Sequence, residues 1–191
     1  MSKHNLGKKT IVTPLPVLIV ATYDETGKAD AMNVAWGGQC TYNHVALNLA
    51  KVHKTTENIR QTGAFTVSIA NLDNLVVSDY FGVVSGRKED KIAVAGVHIH
   101  KSEFVNAPVI EEYPLTLECK AVSIEDCFGE VRVVGEVVNT IADNTILDSN
   151  GNVDFDKLQP LSFDSCARSY RVLGKTVGTA FNDGKTIKHE K

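Results

Sequence analysis

The sequence predicts a mainly β fold: an antiparallel, small closed or split barrel with a few short helices at its periphery. Three observations predict it. At least six segments are short, rich in β-branched residues, and either continuously apolar or alternating. Hairpin-type turns join them more often than β–α–β alternation does. Helical periodicity is confined to two or three short stretches, and neither an internal repeat nor a linker interrupts the chain. One domain spanning residues 1–191 is therefore expected.

The segment from Thr13 to Pro16, with prolines at 14 and 16, breaks any helix and sets an extended entry. Residues 17–23 form a continuous apolar run suited to a buried strand. Asp24–Lys28 reads as a turn around Gly27. A second strand begins near Ala29 and runs into Trp36, where Gly37 and Gly38 mark a bulge or a close backbone approach. Tyr42–His44 turns into a strand over 45–50. Thr55 or Thr56 is placed to cap a helix through Gln61, with Glu57 in its first turn and Gly63 at its end. Residues 65–69 alternate as a strand. A second helix begins at 71–73, with Leu75, Val76 and Tyr80 spaced for one face. A charged loop over 85–91 leads to a third short helix ending near Gly96. Residues 115–121 alternate clearly, with Thr116, Glu118 and Lys120 facing away from the core, and 130–141 forms a second long strand. Asp148–Asn152 is a hairpin-type turn, and the tail carries Phe163 and Tyr170 in further apolar pieces.

The 191 residues are 43% hydrophobic and 23% charged, which predicts a globular chain with a sizeable core. A net charge of -3 gives no general basic character, so no nucleic-acid partner is expected. The first nine residues lack an apolar signal region, and no apolar run approaches the roughly 20 residues that span a bilayer. A cytoplasmic protein without a membrane partner is expected. The four cysteines, Cys40, Cys119, Cys127 and Cys166, show no C-x-x-C spacing and read as reduced, mostly buried thiols. Dinucleotide-binding glycine motifs, the P-loop, the zincin motif and the nucleophile elbow are all absent from the sequence.

The positive signal lies between Asp30 and Thr56. It holds the one Trp, a Gly pair, and Lys51, His53 and Lys54 ahead of Thr55 at a helix start. Helix N–H groups, hydroxyls and ammonium groups there suit a phosphate; the same spacing also suits a capped helix with solvated lysines. Trp36 can stack on a ring or pack in the core, the commoner role for a lone Trp. His98 and His100 share a face without an evident third ligand, so a strand face competes with a metal site. Arg87, Lys88 and Lys91 can reach a phosphate or remain a solvated run.

Several pieces together resemble the flavin reductase-like family, on the flavoredoxin side. They are residues 14–17, 31–38, 54–59, 62–67, 79–82, 85–91, 114–119 and 134–137. Their order and spacing cover the chain from about residue 8 to residue 185. The resemblance implies an FMN-binding split β-barrel of antiparallel Greek-key type, working as a homodimer. It implies non-covalent FMN exchanging electrons with NAD(P)H or a redox protein. It places Asp30, Asn33, Val34, Ala35, Trp36 and Gly37 along the flavin, and Lys51, His53, Lys54 and Thr55 along its phosphate or ring edge. Lys91, with Ser85 and Gly86, approaches from the charged loop, and Phe163 and Tyr170 lie near the ring. Catalytic side chains and a metal are not part of the expectation. The chain departs from the family in two places: Glu130 stands where a His is common, and Asp30 stands where an amide is common. An oxidoreductase passing electrons through FMN is the expected function. A non-enzymatic FMN carrier or electron-transfer module is the alternative, motivated by Glu130 and the missing dinucleotide motif.

Overall fold

The computed structural model describes residues 2–187. The elements are β1 (Leu15–Pro16), β2 (Leu18–Tyr23), β3 (Ala29–Val34), β4 (Gly37–Gln39), β5 (His44–Leu49), α1 (Lys54–Thr62) and β6 (Ala64–Ile69). They continue with α2 (Leu75–Val83), α3 (Lys91–Ala95), β7 (Ile99–Lys101), β8 (Pro108–Ile110), β9 (Leu115–Cys127) and β10 (Glu130–Ala142). The last are α4 (Phe155–Leu158), β11 (Leu161–Asp164) and β12 (Ser169–Val172).

Seven strands form one antiparallel sheet in the order β3-β2-β6-β9-β10-β5-β4. The outermost strands, β3 and β4, are consecutive in sequence and joined only by Ala35 and Trp36. That link reaches at most about 11 Å from Val34 to Gly37. At ordinary inter-strand spacing a flat seven-stranded sheet would hold its edges roughly 29 Å apart. The sheet must therefore curl until its edges nearly meet, and because they do not pair with each other the barrel is split.

Side chains on the concave face fill the barrel. Leu18, Val20, Leu47, Leu49, Phe65, Val67, Val131 and Val133 are buried together, and Ile59 of α1 joins the same cluster from outside the sheet. Fully burying a side chain such as Phe65 stabilises the fold by about 1.5–3 kcal/mol. The convex face of β2 and β3 packs Ile19, Ala21 and Ala31 against Phe81, Ile92, Ile110, Tyr113 and Leu161. Strands β1, β11 and β12 form a small sheet, and β7 pairs with β8.

The covered convex face explains where the strands depart from simple alternation. In β6 every residue from Ala64 to Ser68 is buried. In β9 the expected solvent face is also enclosed: Thr116 bonds Ser68 at 2.8 Å, and the buried Glu118 accepts from the Asn139 amide. Helix α2 buries Ser78 and Phe81, leaving the predicted face residue Val76 exposed. Of the four cysteines only Cys119 is buried; Cys40 and Cys166 are exposed and Cys127 is intermediate. His98 and His100 pair with Glu112 and Glu111 through their Nδ1 atoms. Among the described residues no helix is long and apolar enough to cross a membrane.

Candidate functional site

Helix α1 begins without a side-chain cap. His53 occupies the N-cap position in an extended conformation and makes no capping bond. Thr55 and Thr56, read from spacing as caps, lie inside the helix and bond elsewhere. The Thr56 hydroxyl donates to the Ala50 carbonyl at 2.8 Å, and the Thr55 hydroxyl donates to Asp30 Oδ2 at 2.8 Å. Asn58 adds a buried bond to Thr22 at 2.9 Å, so α1 is fastened across β2 and β3 with its first-turn N–H groups uncapped by any side chain. Gly63, at φ +66°, ends the helix in the left-handed conformation that favours glycine.

Two cavities meet at this end of the barrel. The larger, about 330 Å³, runs between β3, β5 and α2 and reaches Phe163 and Tyr170 on the small C-terminal sheet. Its walls are largely apolar: Met32, Val34, Ala35, Leu49, Ala50 and Val83, with Trp36, Phe163 and Tyr170 as aromatic surfaces. Asn33, Asn48, His53, Asp79 and Glu130 supply its polar groups. The smaller, about 200 Å³, is a polar annex reaching Asp30, Lys54, Thr55, Ser85, Gly86 and Lys91. The two share Met32, Asn33, His53, Gly82 and Val83, so they adjoin along one wall.

Second bonds hold the walls. The Asn33 amide donates to the Ser78 carbonyl at 2.9 Å, tying β3 to α2. Ser78 in turn bonds Tyr113, whose hydroxyl burial pushes up to about 12. Tyr170 donates to Asp79 at 2.7 Å and packs tilted against Phe163 at 6.0 Å. Burial first, and then the Asp79 carboxylate, push the Tyr170 phenol up to about 12, so it remains a donor throughout the neutral range. The Trp36 carbonyl accepts from Asn48 N at 2.8 Å, yet its side chain is 64% exposed. Of the two roles open to a lone Trp, core packing does not occur; Trp36 stands on the cavity wall, where the family resemblance placed it, on a two-residue link between sheet edges.

The annex is ordered by charge. Lys91 and Asp30 form an ion pair at 3.4 Å with both side chains only 3% exposed. Burial lowers the Lys91 ammonium below its ordinary value, against the pull of Asp30. Lys54 pairs with Asp24 at 3.1 Å, both 17% exposed. The loop over 85–90 is clamped by Lys28–Asp90 at 3.2 Å and Arg87–Glu57 at 2.6 Å. At Gly86 a Cβ would stand 2.0 Å from Asp30 Oδ1, so only glycine lets this loop close on the pair.

Every residue that the family resemblance placed along the flavin, its phosphate or the charged loop lines one of these two cavities except Lys51 and Gly37, whereas Arg87, Lys88, His98 and His100, singled out by residue type alone, line neither. Lys51 turns to Asp126 at 3.2 Å, beside Arg60, and Gly37 lines a neighbouring groove. The structure adds Met32, Asn48, Leu49, Ala50, Asp79, Gly82 and Val83 to the larger cavity, and it puts Glu130, noted in the sequence as a departure from the family, on the same wall. Two of these left a trace in the sequence. Asn48 interrupts an otherwise apolar strand, and Gly82 is a glycine inside a helix, where it costs stability. A Cβ on Gly82 would press on Asn33 Cβ at 3.3 Å.

The residues present suit a group with a flat apolar body and an anionic end. Aromatic and aliphatic walls line one arm, and an uncapped helix N-terminus with Lys54, Thr55 and Ser85 lines the other.

A family model described as "Flavin reductase like domain" matches residues 11–162. The chain superimposes on the flavoredoxin of Desulfovibrio vulgaris (Miyazaki F) with a TM-score of 0.91 and 32% identity, covering 96% of this chain and 100% of that one. The flavoredoxin from Methanosarcina acetivorans gives a TM-score of 0.91 at 28% identity, covering 98% of this chain and 100% of that one. Among curated proteins, the uncharacterized protein YddH of Escherichia coli (strain K12) is 28% identical over 152 residues, 76% of this chain and 80% of that protein.

Proposed function

The chain belongs to the flavin reductase-like family, and from that premise we propose that it binds FMN non-covalently and works as an oxidoreductase, taking electrons from NAD(P)H or a redox protein. The observation that carries this reading is the adjacency of an apolar slot and a polar annex at an uncapped helix N-terminus. FMN supplies hydride and single-electron chemistry when bound. The chain's own residues bind, orient and shield. The first-turn N–H groups of α1, with Lys54, Thr55 and Ser85, would hold the phosphate. Lys91 and Asp30, paired and buried, would fix the annex wall beside the phosphate rather than add net charge to it. Val34, Leu49, Val83 and Phe163 would exclude water from the flat body, and Asn33 and Asn48 offer amides to its polar edge. Tyr170 keeps its proton on the phenol oxygen, directed at Asp79.

The reading includes a homodimer and a cytoplasmic location; the exposed Trp36 and Phe128, which line one groove, favour a contact with a second copy on that face. A carrier without turnover is the second reading, favoured by the Glu130 carboxylate on the cavity wall, which opposes negative charge building up nearby. The visible spectrum of freshly purified protein tests the first premise: flavin bands, with FMN released on denaturation, are expected. A colourless protein that takes up no added FMN overturns it. Anaerobic mixing of the loaded protein with NADH, NADPH and reduced ferredoxin then separates the two readings. Bleaching followed by steady turnover identifies the oxidoreductase; bleaching without turnover leaves the carrier.

A further inference from the structure

The annex is short of free charge. Its titratable lining side chains are Asp30 of β3, His53 and Lys54 at the head of α1, and Lys91 of α3. From α2 it receives Phe81, Gly82 and Val83, which carry no charge. Both lysines are already countered, Lys91 by Asp30 at 3.4 Å and Lys54 by Asp24 at 3.1 Å. Beyond the lining, Arg87 and Lys28 are likewise paired, with Glu57 and Asp90. An incoming anion therefore meets helix N–H groups and neutral pairs rather than free cations. A second negative charge on it would be enclosed without a counterion, which is costly.

The hydroxyl protons are committed as well. A threonine hydroxyl has one proton to give and two lone pairs. The Thr55 proton goes to Asp30 Oδ2 at 2.8 Å, with Thr55 1% and Asp30 3% exposed, and the Thr56 proton goes to the Ala50 carbonyl at 2.8 Å. Turning the Thr55 proton toward a ligand would leave Asp30 Oδ2 without a donor, which a buried carboxylate resists. The loop at Gly86 sits directly on Asp30 Oδ1, so the carboxylate has no room to swing away. Toward the annex, then, Thr55 can only accept. Ser85 keeps its proton free: among the described residues its hydroxyl accepts from the Arg87 N–H at 3.3 Å and donates to none. An oxygen that only accepts, in a wall of neutral pairs, suits a group with one negative charge and one proton.

We propose that the annex takes a phosphate monoester in its singly charged form, the remaining P–OH proton donated to Thr55 Oγ1, and that Asp30 sets this choice. Asp30 acts through its neighbours and is a positioning residue: it withholds the Thr55 proton and offsets the Lys91 charge. That the monoester is FMN rests on the proposed function.

A phosphate monoester gives up its second proton with a pKa of about 6, so its protonated share falls about tenfold between pH 7 and pH 8. Fluorescence titration of the full-length, flavin-free protein with FMN, and with riboflavin as the phosphate-free probe, reads the choice. The FMN dissociation constant is expected to rise about tenfold over that interval while that of riboflavin stays level. Thr55→Ser keeps the hydroxyl and is expected to keep the slope. Thr55→Val has nearly the same shape and is expected to lose the slope while still binding riboflavin. Asp30→Asn leaves the Lys91 charge uncountered, and is expected to bind FMN more tightly than the parent at pH 8; if that chain does not fold, the two Thr55 variants carry the test. His53 is the rival proton carrier, since a histidine changes charge between pH 5 and 8. His53→Gln is expected to leave the slope in place. The proposal is overturned if FMN affinity is level or rises from pH 7 to pH 8, if Thr55→Val keeps the slope, or if His53→Gln abolishes it. A protein that binds neither flavin sinks the flavin reading and this one together; a protein that binds both without a slope sinks this one alone.

Discussion

The annex and the groove flank the same central cavity and are built in opposite ways. In the annex charges occur in pairs: Asp30–Lys91, Asp24–Lys54, Lys28–Asp90 and Arg87–Glu57. A glycine brings the loop down onto the most buried pair. In the groove beyond Trp36 the Arg132 guanidinium has no carboxylate partner among the described residues, the rings of Trp36 and Phe128 are bare, and the Phe128–Gly129 turn is strained, with Phe128 at φ +51°. Fixed charges in a closed space are preorganised, and preorganisation suits a resident group that seldom leaves. The difference teaches that one wall, built on β3, β5 and the Ala35–Trp36 link, borders a closed, charge-ordered space on one side and an open, aromatic one on the other.

The largest way to break this contrast is at the buried pair. Asp30→Ala strands the Lys91 ammonium without a partner and is expected to destabilise the fold by about 3–5 kcal/mol, read by urea unfolding. Asp30→Ala combined with Lys91→Met should recover most of that loss, because the penalty belongs to the orphaned charge. A single-mutant cost under about 1 kcal/mol would mean that the annex is not charge-ordered.

Lys54→Ala acts next, and on binding rather than folding. Losing a charge-assisted phosphate contact is expected to weaken FMN by about 1.5–3 kcal/mol, ten- to a hundredfold, in a fluorescence titration. Unchanged affinity would remove Lys54 from the phosphate arm and leave it as a partner of Asp24 alone.

Acid gives a smaller effect. The Thr26 hydroxyl first, and then the Lys28 N–H and the Lys54 ammonium, hold the Asp24 carboxyl well below the usual carboxylate range. A depressed folded value contributes stability that is fully present above the unfolded value near 4 and lost as pH falls through the folded one. Asp24→Asn should therefore flatten the acid limb of the stability profile below about pH 4 and leave the neutral region little changed. An acid limb identical to that of the parent protein would show that Asp24 is not fixed in the annex.

The smallest expected stability change is that of Trp36→Ala, within about 1 kcal/mol by thermal unfolding, because the side chain is 64% exposed. A loss of several kcal/mol would instead make Trp36 a packing residue and merge the two flanks into one core.

The strands were legible in the sequence because apolar periodicity reports burial directly. β2, β5 and β10 fall within a residue or so of where the pattern put them, β9 starts where expected and runs on beyond residue 121 to Cys127, and α1 ends at Gly63 as its glycine announced. The Asp30–Thr56 stretch likewise marked the wall between the cavities. What periodicity could not reveal is what covers a strand's second face, so Glu118 and Thr116 read as solvent-facing although other elements enclose them. Nor could it separate a capping threonine from one bonded across the fold: Thr55 finds Asp30, twenty-five residues away. Residue type alone left Trp36 between ring stacking and the core, with bulk favouring burial; its position between two sheet edges is a property of strand order. The Phe128–Gly129 turn was silent, since the strain that distinguishes it exists only once the hairpin is formed.

Strand order also sets a schedule for the growing chain. Strands β2, β3, β4, β5 and β6 are all made before residue 70, yet β5 and β6 do not pair with each other; β9 and β10 stand between them in the sheet. Until the ribosome has released residues 115–142, the first third of the protein can form only two separate ribbons, β3-β2-β6 and β4-β5, each with an unpaired edge open to other chains. The hairpin that arrives last is the keystone of the arch, and its insertion both closes the barrel and delivers Glu130, Arg132 and Phe128 to the space beside it.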